Sequence, residues 1–183
     1  MKTVFPRLLI AAIALTLAAC SPQFDWREIR SDAAPYVVAM PAKPSTFSRK
    51  IDLDGTETVM TMTAAEVGDV TFAVGMAELP DATRAQLSLA AMKTALVNNI
   101  RGTVRQEKVL TMAQTQTASG GTLAVTEIEA TGPASAATGN QPRVLFARFV
   151  ARDKRVYQLV ATGPEKAVTR DIVATYFSSF KFN

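Results

Sequence analysis

An α+β sandwich, with a mainly antiparallel sheet of about seven to eight strands packed with two principal helices, is the fold class that this 183-residue sequence predicts. Three observations lead there. Several segments alternate apolar and polar residues with the period of two that half-buried antiparallel strands require. Two others repeat apolar residues at spacings of three and four, as an amphipathic helix does. The connections between segments are short, which favours antiparallel neighbours. The order is four strands, a helix, four strands and a helix.

Tyr36 to Met40 is a short apolar run closed by Pro41 and Pro44, a first strand followed by a turn. Thr46 to Leu53 leads into Asp54-Gly55, a strong hairpin dipeptide. In Thr58 to Ala65, Met60, Met62 and Ala64 alternate with Thr61 and Thr63, and in Val70 to Met76, Val70, Phe72, Val74 and Met76 alternate with small or polar residues. Gly68-Asp69 supplies the turn between these two strands. Pro80 and Asp81 introduce a helix in which Ala85, Leu89, Met92, Leu96 and Ile100 form the apolar stripe, and Gly102 ends it. Val104 to Met112 and Thr122 to Ala130 return to strand patterning around a Ser119-Gly120-Gly121 turn. Gly132 to Pro142 reads as a small-residue loop. Arg143 to Ala151 and Arg155 to Ala161 are the last two strands, and Pro164 stands near the start of a final helix presenting Val168, Ile172 and Tyr176 beside Val173, Phe177 and Phe180.

That order, with the opening Tyr36-Val37-Val38-Ala39-Met40-Pro41-Ala42-Lys43-Pro44, the late Arg155-Val156-Tyr157-Gln158-Leu159 and the closing Phe177-Ser178-Ser179-Phe180-Lys181, resembles the PsbP/Mog1-like α/β sandwich over most of residues 35–183. It is similar, too, to uncharacterised bacterial envelope proteins that share the opening and closing motifs. The resemblance implies a non-enzymatic adaptor. No partner-binding residue carries over, and a fold by itself transfers no function.

The N-terminus carries its own information. Lys2 and Arg7 precede an apolar run, Leu8 to Ala19, of about a dozen residues, whereas a helix needs roughly 18 to 20 to span a bilayer. This is the layout of a cleaved secretory signal. Leu17-Ala18-Ala19-Cys20 then resembles the lipobox of bacterial lipoproteins. The resemblance implies cleavage before Cys20, a diacylglyceryl group on its sulfur and an acyl chain such as palmitate on its amino group. Two or three chains anchor durably, since each buried CH₂ contributes about 0.8 kcal/mol. Ser21 in the second position implies passage to the periplasmic leaflet of the outer membrane rather than retention at the inner one. The expected organisation is a signal peptide at 1–19, a lipidated cysteine and tether at 20–34, and a single domain at 35–183.

Removing residues 1–19 leaves 164, the size of one ordinary domain. The net charge of +4 includes Lys2 and Arg7, so the mature chain carries +2, and nucleic acid is not expected as a partner. The chain has no histidine, which removes the usual general base, the Ser-His-Asp triad and the commonest metal ligand. With Cys20, the one cysteine, acylated, thiol catalysis, cysteine metal sites and an internal disulfide go as well. No pattern for a cofactor is present, and no catalytic or metal site is expected.

Four constellations remain. Glu127 and Glu129 share a strand face and could converge as a carboxylate pair, but alternating Glu on a strand reads first as a solvated face. Met60 and Met62, with Met76 on the next strand, could present thioethers on one face to Cu(I); packing residues of the core are the expectation. Arg143, Arg148, Arg152, Lys154 and Arg155 place five positive charges in thirteen residues, a hairpin able to touch an anionic lipid surface or an acidic partner, or simply a charged exposed turn. Trp26, the one tryptophan, is expected to cover an edge of the domain beside Phe24 and Ile29 rather than to sit in a bilayer interface. The functional expectation is a non-catalytic binding or assembly module at the membrane, with an envelope protein as partner. The alternatives are a histidine-free hydrolase, whose mark would be two close carboxylates with a raised pKa, and a purely structural envelope protein.

Overall fold

The computed structural model describes residues 24–32, 34–113, 121–136 and 139–183. The signal segment, Cys20 and Ser119-Gly120 of the expected turn lie outside them. In chain order the elements are β1 (Arg27–Arg30), β2 (Tyr36–Met40), β3 (Ser45–Leu53), β4 (Thr56–Val67), β5 (Val70–Glu78), α1 (Ala82–Asn99), β6 (Thr103–Ala113), β7 (Thr122–Ser135), β8 (Gln141–Arg152), β9 (Arg155–Pro164), α2 (Arg170–Ser179) and β10 (Lys181–Phe182).

β3 to β9 form a seven-stranded antiparallel sheet in the order β3-β4-β5-β9-β8-β7-β6. Its hairpins follow from turn chemistry. Asp54 and Gly55 have φ of 53° and 77°, the left-handed pair that lets a two-residue loop follow the twist of its strands. α1 begins where the Asp81 carboxylate accepts the N–H of Arg84 at 2.8 Å. Its far end docks on β7 so closely that a Cβ on Gly132 would lie 2.1 Å from the carbonyl oxygen of Ile100, which is why that position is glycine. α2 begins at Thr169, whose hydroxyl accepts the N–H of Ile172.

The sheet has a buried layer on each side. One face packs on α1 through Ala73, Ala77, Ala85, Leu89, Met92, Ala147, Phe149 and Val160. The other packs on α2 and on a second, three-stranded sheet, β1-β2-β10, through Tyr36, Met40, Phe72, Val74, Tyr157, Tyr176, Phe180 and Phe182. The result is the expected α+β sandwich with its two principal helices.

Several boundaries differ from the sequence reading. The expected tether at 20–34 is in part folded onto the domain: Arg27–Arg30 pair with Val37–Met40, and the Asp25 N–H donates to the Pro41 carbonyl at 2.8 Å. Phe24 and Trp26 meet the Phe72 ring edge-on, with centroids 6.2 and 5.8 Å away. Covering that apolar flank of β5 is what orders an otherwise polar segment. β7 continues to Ser135 and β8 begins at Gln141, so about half of the expected small-residue loop is strand. β10 is two residues long and joins β2, closing the chain against its own beginning.

Candidate functional site

The chemistry of the α2 side is set by three rungs that cross β6, β7 and β8. Leu110 lies opposite Val125 and Val125 opposite Val150; Lys108 opposite Glu127 and Glu127 opposite Arg148; Gln106 opposite Glu129 and Glu129 opposite Phe146. α2 is clasped onto these rungs at two points. At one, Arg170 donates to Glu129 at 2.6 Å and lies over the Phe146 ring. At the other, Arg148 donates to the Phe177 carbonyl at 3.2 Å, with its guanidinium 4.7 Å from that ring's centroid. Beyond α2 the β6 ends of the rungs are open to solvent. A groove of about 390 Å³ opens there, with Leu110, Met112, Val125, Phe177 and Phe180 as apolar walls and Arg148 as its cation.

Glu127 holds the charge of this groove together. It accepts from Arg148 Nε at 2.6 Å and from Lys108 Nζ at 2.9 Å. Burial pushes its carboxyl pKa up, but the hydrogen bonds and charges of Lys108 and Arg148 outweigh burial and hold it below the usual carboxylate range. A carboxylate held ionised between two cations is the reverse of a general acid. Glu127 and Glu129 thus do not present a solvated face: their side chains are 16% and 13% exposed, and each is engaged by different cations. The local sum of Lys108, Glu127 and Arg148 is one positive charge beside an apolar wall.

The five basic residues do not form one surface. Arg148 faces α2 as described. Arg152 donates to the Asn183 carbonyl and lies 5.0 Å from the centroid of Phe182. Lys154 and Arg155 both pair with Glu78, at 2.6 and 3.0 Å, and so lower its carboxyl pKa. Arg143 belongs to the opposite face, where its Nε donates to Thr162 and its side chain borders the end of α1 near Asn99 and Arg101.

The methionines separate too. Met60 and Met62 stand on the α1 face, whereas Met76 lies opposite Thr61 and packs on the α2 face. Met62, Gly75 and Gln158 lie side by side on β4, β5 and β9. A Cβ on Gly75 would come within 2.6 Å of the Met62 sulfur, so glycine is what lets Gln158 reach across. The Gln158 amide donates to the sulfurs of Met60 and Met62 at 3.7 and 3.6 Å. A small cavity of about 170 Å³ adjoins Met60, Met92 and Gln158 beneath α1. Among the described residues no group of three or more acidic or other metal-ligating side chains forms a metal cluster, and no helix is long and apolar enough to cross a membrane.

The groove has no mark of its own in the sequence. Leu110 and Met112 show only strand patterning, and nothing local says that α2 stops short of them. The one available signal is the apolar alternation of Leu110 and Met112 at an end of the sheet for which the described residues supply no third helix.

The architecture is a PsbP-like α+β sandwich. It matches the solution structure of cyanobacterial PsbP (CyanoP) from Synechocystis sp. PCC 6803 with a TM-score of 0.54 and 10% identity, covering 90% of this chain and 96% of that one. A crystal structure of a protein of unknown function from Pseudomonas aeruginosa aligns over 81% of this chain and 90% of its own at 11% identity, with a TM-score of 0.36. No family model matches the sequence, and no curated protein does. At such identity the likeness is one of fold.

Proposed function

We propose that the chain is a lipoprotein, anchored through acylated Cys20 in the periplasmic leaflet of the outer membrane, whose domain binds or assembles an envelope protein without catalysing a reaction. The groove beside α2 carries this reading, because it offers apolar walls and one cation while its carboxylate is committed to ion pairs. Its size, about 390 Å³, falls in the range of binding clefts of roughly 300–1,000 Å³. The PsbP-like fold agrees with a non-catalytic module. In this reading any contact with an anionic surface falls mainly to Lys154, whose side chain is 52% exposed at the hairpin tip.

Two measurements test it. Labelling with radioactive palmitate is expected in the full chain and not in Cys20→Ser; equal labelling would overturn the anchor. A photo-crosslinking residue at Leu110 is expected to trap a stoichiometric partner in intact envelopes, and one at Phe47, exposed on the other side of the sheet, is not. Equal capture at both positions would remove the groove from the account.

A further inference from the structure

We propose that β6 is a self-pairing edge, through which two copies of this chain join their seven-stranded sheets antiparallel across a two-fold axis at Val109. β6 is an outer strand of the sheet, eleven residues long and without proline. Such an edge presents a row of backbone donors and acceptors to any second strand unless charge, proline or a cover blocks it. Its ionic side chains do not stand guard. Arg105 pairs with Glu165 at 2.7 Å, Glu107 with Lys93 at 2.8 Å and Lys108 with Glu127 at 2.9 Å, so all three are drawn back onto the chain's own body. Their side chains stay 42–48% exposed, but each charge is met within the chain, and beside them stand the apolar, β-branched Val109, 70% exposed, and Val104, 41%. These are the two most strand-favouring residues of the segment.

The sequence of β6 can pair with its own copy about Val109 without directly opposing like charges. Centred on Val109, an antiparallel pair sets Val109 against its own copy, Lys108 against Leu110, Glu107 against Thr111 and Gln106 against Met112. No like charges meet. Centring on Lys108 or Glu107 instead would oppose two ammonium groups or two carboxylates, which is unfavourable in directly opposed strand pairs. The lysine stems would then lie along Leu110 of the other copy, extending the apolar wall of the groove across the axis. The other outer strand, β3, is different in kind. Arg49, Lys50 and Asp52 are not drawn into any of the chain's ion pairs among the described residues, and they leave that edge charged. A single strand pair is a small interface, so the dimer is expected to be weak and concentration-dependent.

The test uses the full chain in an excess of detergent micelles and its Cys20→Ser form, which has no native thiol. Sedimentation equilibrium is expected to show a monomer–dimer equilibrium in both. In the Cys20→Ser background, Val109→Cys is expected to form an intermolecular disulfide on mild oxidation, because directly opposed strand residues have the Cα separation that a disulfide needs. Thr111→Cys alone is expected not to, while Glu107→Cys/Thr111→Cys together is. Val109→Lys is expected to weaken the dimer about tenfold while leaving the thermal midpoint in place, since the side chain is exposed. A chain monomeric at all concentrations would overturn the proposal. So would crosslinking at Thr111→Cys as strong as at Val109→Cys, or crosslinking through Arg49→Cys on β3.

Discussion

The two faces of the seven-stranded sheet are covered by different means. On the side of α2 the layer is a run of rings: Phe24 on Trp26, both on Phe72, Phe72 on Tyr176, and Tyr36, Tyr157, Phe180 and Phe182 in mutual contact. These come from both ends of the domain and from the middle of the sheet. On the side of α1 the buried cluster holds a single ring, Phe149, and many alanines, with Ala73, Ala77, Ala85, Ala130, Ala147 and Ala151 around Leu89 and Met92. Alanine lets one continuous helix approach the sheet closely. Large rings fill the wider and less regular gap under a layer built of a helix and three short strands. A single helix needs a smooth floor, and a composite layer needs bulky filler.

Substitutions that exchange these characters test the contrast. Phe72→Ala, which removes the ring touching Phe24, Trp26 and Tyr176, is expected to cost about 3–5 kcal/mol in urea unfolding. A loss below about 1 kcal/mol would mean that the aromatic layer is not a packed core. Ala147→Leu, fully buried under α1, is expected to cost about 1–3 kcal/mol through overpacking. A stabilised variant would show that the small floor is slack rather than close. Tyr176→Phe removes the 2.8 Å hydrogen bond to the Ala73 carbonyl, and about 1 kcal/mol is expected to go with it. Burial holds the Tyr176 phenol well above its ordinary pKa, so it is neutral and donating throughout the physiological range.

The smallest effect concerns pH. Because the folded-state pKa of Glu127 is lowered, its ion pairs stabilise fully above the ordinary carboxylate pKa, and that contribution disappears as pH falls through the lowered value. Glu127→Gln is expected to flatten part of the acid limb of stability against pH. An unchanged limb would place the acid sensitivity elsewhere.

Element types were legible where the pattern was long. The α1 stripe, the Asp54-Gly55 turn and the alternation in β4 and β5 all reported their own structure. Segments whose order depends on distant partners did not. Arg27–Arg30 offers one apolar residue, Ile29, and forms a strand because β2 receives it; Lys181–Phe182 is a strand because β2 has a free side. Turn length alone parts Met76 from Met60 and Met62. A two-residue turn at Gly68-Asp69 pairs Val67 with Val70, so even-numbered residues of β4 share a face with odd-numbered residues of β5. The candidate site was legible only in its parts. Glu127 and Arg148 are both visible in the sequence, but their meeting requires the β7–β8 register, which the length of the intervening loop does not disclose.

The docking of Phe24 on Phe72 also sets how the anchor proposed at Cys20 would hold the domain. Phe24 lies at the flank of β5, and the groove lies over β6 and β7, on the far side of β9 and β8. At about 4.8 Å per strand, Phe24 and the groove are roughly 15 Å apart across the sheet. From Cys20 to Phe24 the backbone can stretch no more than about 14 Å. On such a tie the domain would be held short and off-centre, and its groove would stay clear of the point of attachment.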